Sequence, residues 1–262
     1  MRTFSCLVGS ALAMASAVSA TGILLPLYSW PEDNSTWGPV YNAVYSYPDV
    51  HFQIIVNPSS GPGDTTYPDE SYIAGVAQLN SYDNVEVIGY IPTNYAERTK
   101  SEVVADIKTY AGWSSYTKKN ITVSGIFFDE APRTNENSKI SYMKSVSATA
   151  KKNKLNTVVF NPGTKLVEAA ASKYFAAADL IVEFENSYSE WVQSVPKDSF
   201  SSAKTYYKDA ALLYSAPLTA DYEAIVQEAE GMGLGAAYLT NDDDYKSVES
   251  VKKVAASFSS SS

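Results

Sequence analysis

The chain has 262 residues, with 20 Lys and Arg against 29 Asp and Glu, for a formal charge of −9. That balance argues against a nucleic-acid or anionic-lipid surface, because cationic side chains supply most of the attraction to either. A single His, at 51, and a single Cys, at 6, exclude zinc and iron centres built on those ligands, though not an all-carboxylate Ca²⁺ or Mg²⁺ site.

Residues 1–20, MRTFSCLVGSALAMASAVSA, combine a basic start, an apolar run and small residues at the two positions that a signal peptidase reads. They predict a secretory signal peptide cleaved after Ala20, with an uncleaved membrane anchor as the alternative. Cleavage removes Cys6 and Arg2, leaving a thiol-free chain of charge −10 that a hydrophobic core alone must stabilise. Asn34 in NST and Asn120 in NIT are glycosylation sequons, whereas Asn57 and Asn161 are each followed by Pro and are not.

Eight short apolar runs follow: Ile23 to Tyr28, Phe52 to Val56, Val85 to Ile91, Val123 to Phe128, Thr157 to Phe160, Leu180 to Phe184, Ala211 to Tyr214 and Ala236 to Leu239. Their length and nearly continuous apolarity suit strands buried on both faces. Helical spacing marks Ser101 to Tyr110 and Ile140 to Ala150. It also marks a segment capped by Thr164, one running from Thr219 to a closing Gly231, and a last one from Tyr245 to Phe258. The stretches after the first, second and sixth strands show weaker helical patterns. The tail, 259–262, is expected to be disordered. Eight strand–helix alternations in 21–258 predict a single α/β domain, a (β/α)₈ TIM barrel. The competing doubly wound sheet lacks its glycine-rich loop after the first strand.

Barrel chemistry sits at the C-terminal ends of strands. There the fourth strand ends in Asp129 and Glu130, and the sixth carries Glu183 and Glu185 on what alternation makes one face. Carboxylates beside apolar strands are costly unless paired or chemically used. Alternation also points Asp129 and Glu130 in different directions. Two acids across a barrel mouth form the couple that glycoside hydrolysis requires. Tyr28, Trp30, Asn57, Tyr90, Asn94, Asn161 and Asn241 at other strand ends offer aromatic faces and amides to a sugar. The acids and aromatics together also suit a cationic amino sugar. The loop SSGPGD lacks the GK[ST] ending of a phosphate loop, no GxSxG elbow occurs, and His51 opens a strand as a structural residue. No cofactor and no metal are expected.

The motifs LLPLYSWP, NPSSGPG, VIGYIPTNY, GIFFDEAP, VVFNPG, VEFENSY and GMGLGAAYLTN together resemble the spherulin-4, or spherulation-specific family 4, proteins of fungi and slime moulds. The resemblance spans nearly the whole mature chain. It implies a secreted or cell-wall-associated (β/α)₈ glycoside hydrolase, an endo-α-1,4-N-acetylgalactosaminidase acting on galactosaminogalactan, a fungal exopolysaccharide. It places the family's functional acids on Asp129, Glu130 and Glu185 without deciding which is nucleophile or proton donor. A carbohydrate-binding or cell-wall structural protein on a catalytically silent barrel is the alternative. A monomer is expected.

Overall fold

The computed structural model describes residues 21–32, 35–194, 196–201 and 206–260. The expected signal peptide and Asn34 lie outside the described residues. Eight strands pair in chain order, all parallel: β1 (Gly22–Leu27), β2 (Phe52–Val56), β3 (Val85–Pro92), β4 (Gly125–Asp129), β5 (Thr157–Phe160), β6 (Leu180–Ser187), β7 (Asp209–Tyr214) and β8 (Ala236–Leu239). Pairing of β8 with β1 closes the barrel. The helices α1 (Gly38–Ser46), α2 (Glu70–Leu79), α3 (Lys100–Gly112), α4 (Asn137–Lys152), α5 (Glu168–Phe175), α6 (Tyr188–Gln193), α7 (Tyr222–Met232) and α8 (Val251–Ser260) each follow one strand. This is the (β/α)₈ barrel.

Strand residues are continuously apolar because one face packs inside the barrel and the other against helices. In β1 all six residues are buried. The helix layer contributes the fully buried Trp37, Trp113 and Trp191. Two glycines permit this close packing. A Cβ at Gly89 would fall 2.7 Å from the Tyr110 ring of α3, and one at Gly125 would fall 2.3 Å from the Thr157 carbonyl. α3 begins at a capping box in which Thr99 and Glu102 satisfy each other's backbone N–H.

Several boundaries differ from the sequence expectation; β4 starts at Gly125 rather than Val123, β6 runs on to Ser187 and β7 starts at Asp209, and at the helix ends the reasons are tertiary. Thr164 does not cap α5. The chain there is held extended by long-range bonds from Leu166 N to Glu183 and from Val167 N to the Arg133 carbonyl, so the helix starts at Glu168. α7 is capped by Asp221, which accepts from Ala224 N, and it passes through Gly231 to end at Gly233, whose φ of 79° allows the left-handed turn. Tyr245 belongs to the β8–α8 loop rather than to α8, because Asp242 accepts from the N–H groups of Lys246 and Ser247 and folds that loop back. Ser259 and Ser260 are helical: Phe258 is buried and carries the last turn of α8 with it.

Candidate active site

Asp129 ends β4 and Glu185 lies near the end of β6, with β5 between them. Asn161, just past β5, joins the two. Its side-chain nitrogen donates to Asp129 Oδ1 and to Glu185 Oε2, each at 2.8 Å. Its Oδ1 accepts from Gly163 N at 2.8 Å, which fixes the orientation of the amide. Twice 2.8 Å is an upper bound, so these two carboxylate oxygens are no more than 5.6 Å apart. The second oxygen of each acid accepts from a phenol: Tyr90 donates to Asp129 Oδ2 at 2.7 Å, and Tyr245 donates to Glu185 Oε1 at 2.9 Å. Tyr28 packs edge-on against both phenol rings, with centroids 5.6 and 6.0 Å away.

The electrostatics follow from that crowding. Burial pushes Glu185 above the usual carboxylate range, and the charge of Asp129 adds to the rise, while the bonds from Asn161 and Tyr245 oppose it. Burial and the neighbouring carboxylates also raise Tyr28, Tyr90 and Tyr245, so the phenols of Tyr90 and Tyr245 keep the protons that they donate to the acids.

Glu130 lies beyond the strand end with φ of 50°, so strand alternation does not govern its direction. Its carbonyl accepts from Thr93 Oγ1 at 2.8 Å and from Tyr95 N at 2.7 Å. Asn94, Tyr95 and Ala96 are all left-handed, so this turn couples four residues in an uncommon backbone conformation beside the acids. The side chain of Glu130 is near enough to Tyr90 for its charge to help raise that phenol.

The other sequence-selected residues are placed unevenly. Tyr90 and Asn161 bind the acids directly, and Asn161 has both its donor and its acceptor groups occupied by protein. Trp30 is 47% exposed and rests edge-on against Tyr72. Asn57 caps its own loop by accepting from Gly61 N, and Asn241 bonds Ser247 and Glu249 within the β8–α8 loop. Asn94 is exposed on the left-handed turn. Asn120 is exposed before β4, at the end of the barrel away from the acids. His51 precedes β2 at that same end, 3.8 Å from Glu86.

The expectation that Glu183 and Glu185 share a strand face does not hold simply. The β6–β7 register shifts between Val182 and Phe184, leaving Glu183 in a bulge. Its carboxylate serves backbone groups of flanking loops, whereas that of Glu185 serves the mouth. Sequence reasoning missed Tyr245 and Gly163. A Tyr following three acids reads as the start of a helix, and only the folded loop brings it over Glu185. A cleft of about 150 Å³ adjoins Glu185, lined by Thr164, Lys165, Asn186, Glu190 and Ser194 among others. Among the described residues no group of His, Cys, Asp and Glu is arranged to hold a metal ion, and no helix is long and apolar enough to cross a membrane.

The chain belongs to the spherulation-specific family 4, whose family model matches residues 22–258. Spherulin-4 of Physarum polycephalum is 32% identical over 228 residues. That match takes in 84% of this chain but 63% of the relative, so the chain spans less than two thirds of the relative's length. The crystal structure of Aspergillus clavatus Sph3 in complex with GalNAc superposes with a TM-score of 0.80 at 28% identity, across 92% of this chain and 98% of that one. An endo-β-1,4-mannanase from Thermotoga petrophila shares the barrel, with a TM-score of 0.53 at 11% identity over 93% of this chain and 78% of its own.

Proposed function

We propose that this member of the family is a secreted, monomeric glycoside hydrolase that cleaves α-1,4 linkages within galactosaminogalactan, an N-acetylgalactosamine- and galactosamine-containing polysaccharide. The observation that carries the reading is the Asp129–Asn161–Glu185 bridge. It keeps one oxygen of each carboxylate no more than 5.6 Å from the other at a barrel mouth, a bound compatible with the roughly 5–5.5 Å of retaining glycosidases and below the roughly 6.5–9.5 Å that inversion needs to admit a water. The likeness to a structure that holds GalNAc supports the sugar class.

In this reading Asp129 is the nucleophile. Tyr90 and Asn161 hold its oxygens toward the anomeric carbon. Glu185, raised by burial, retains a proton for the leaving oxygen and afterwards takes one from the incoming water. An α-linked 2-acetamido sugar carries its leaving group and its acetamide on the same face. Attack by the acetamide is therefore blocked, and retention requires a protein carboxylate to form the glycosyl intermediate. Glu130, whose side chain is half-buried beside this pair, is the third acid in reach of the substrate. Trp30 offers an exposed aromatic face to a further ring.

The test is release of reducing ends from purified galactosaminogalactan, compared with chitin, chitosan, glucans and galactan. Release from galactosaminogalactan alone is the expected result. Binding without release would replace the hydrolase with a carbohydrate-binding protein on a silent barrel.

A further inference from the structure

Behind the mouth lies a second acid pair that the reaction above does not use. Glu183 is 1% exposed and Asp209, on β7, is fully buried. Glu183 Oε1 accepts from Leu166 N at 2.7 Å. Its Oε2 accepts from Ser201 N at 2.7 Å and from Ser201 Oγ at 2.9 Å. These donors come from two different loops, Leu166 between β5 and α5 and Ser201 between α6 and β7. Leu166 follows Thr164 and Lys165, and Ser201 follows Ser199; both of those stretches line the cleft beside Glu185. Glu183 is also the bulge residue two places before Glu185. At this bulge its carboxylate meets three donors.

We infer that Glu183 is a positioning residue for the hydrolysis, pinning two loops that line the cleft and fixing the bulge from which Glu185 reaches Asn161 and Tyr245. The inference rests on the reading of Glu185 as the proton donor. Asp209 completes the arrangement. Neither of its oxygens meets a donor among the described residues, and burial, together with the charge of Glu183, raises it to about 9. Burial and the facing Glu183 therefore favour the protonated form of Asp209, the form able to donate to Glu183. Glu183 is the charged group that faces it. The adjacent Lys208 is bound instead to the carbonyls of Phe175 and Ala178.

Glu183→Gln sets an amide N–H against a donor at Ser201 or Leu166 and loosens that anchor. Turnover should fall by about 10²-fold with KM within about threefold, the signature of a displaced catalytic group rather than lost binding. Carboxyl-carbon NMR of Glu185 supplies a readout that needs no turnover. Its titration should move to higher pH as the bonds from Asn161 and Tyr245 weaken. Asp209→Asn keeps a donor for Glu183, so both readouts should match wild type near pH 7. Any loss of wild-type activity near pH 9 that arises from Asp209 should be absent in this variant. If Glu183→Gln does not fold, Ser201→Ala removes one bond and should shift both readouts in the same sense by less. A lower melting temperature with unchanged turnover and unchanged Glu185 titration would overturn the inference, as would an unaffected Ser201→Ala beside an unfolded Glu183→Gln. If wild type releases no sugar, the hydrolase reading fails, while the Glu185 titration still decides whether Glu183 positions it.

Discussion

Replacing Asn161 by Ala removes the amide that stands between Asp129 and Glu185. In wild type that nitrogen donates to both acids at 2.8 Å, and the amide is buried. Without it, two carboxylates no more than 5.6 Å apart face each other directly. Unit charges at that separation repel by about 3 kcal/mol at an effective dielectric of about 20. The simplest relief is for Glu185 to hold its proton more tightly. The Asn161 bond opposes the rise that burial and Asp129 impose on Glu185, so its loss moves Glu185 further up. The alkaline limb of the kcat/KM profile reports loss of that proton and should shift to higher pH. Asp129 also loses one of its two hydrogen bonds, and a nucleophile free to swing should cost about 10²-fold in kcat/KM at the optimum, about 3 kcal/mol of transition-state stabilisation. The assay is the pH dependence of kcat/KM on one defined galactosamine oligosaccharide, with a thermal melt to confirm folding. A folded variant with an unmoved or lowered alkaline limb, or with activity within threefold of wild type, would mean that Asn161 does not set the state of the acid pair.

Other outcomes follow from the same structure. Asp129→Asn and Glu185→Gln should each lower turnover by several powers of ten with melting temperatures near wild type, measured on the same oligosaccharide. Glu86 is held down at about 2: burial pushes it up, but His51, Thr157 and Gln53 together outweigh burial. Its folded value lies below its unfolded one, so its contribution, of order 3 kcal/mol, is present above about pH 4.5 and is lost as pH falls toward 2. Denaturant unfolding from pH 6 to 2 should show Glu86→Gln losing its stability deficit across that window. Expression in a eukaryotic secretory host should add a glycan at Asn120 that leaves turnover unchanged, read by intact mass and activity before and after deglycosylation. A strong chelator should leave the thermal melt unchanged.

The barrel was legible because its physics is local. A strand buried on both faces is a short apolar run, and the runs at Phe52–Val56, Thr157–Phe160 and Ala236–Leu239 coincide with strands β2, β5 and β8. The ends of elements were less legible, since distant partners set them. α5 starts late because Glu183, from another strand, holds Leu166 extended. The acids at strand ends stood out against their apolar neighbours, but the links between them did not. Asn161 read as a sugar ligand, whereas the structure binds both of its polar ends to protein. Tyr245 read as helix, because an acidic run before an apolar segment resembles a helix start. Its role depends on a loop closed by Asp242. The β6 bulge has no local mark at all: VEFEN alternates as a regular strand would.

Whether Asp129 and Glu185 act as a retaining pair is read from the anomeric protons of the first-formed product, followed by NMR. Hydrolysis of an α-linked galactosamine oligosaccharide should release the α-anomer first, with the β-anomer appearing only at the rate of mutarotation. Initial release of the β-anomer would mean that water attacks directly, and would contradict the assignment of Asp129 as a nucleophile held within 5.6 Å of Glu185.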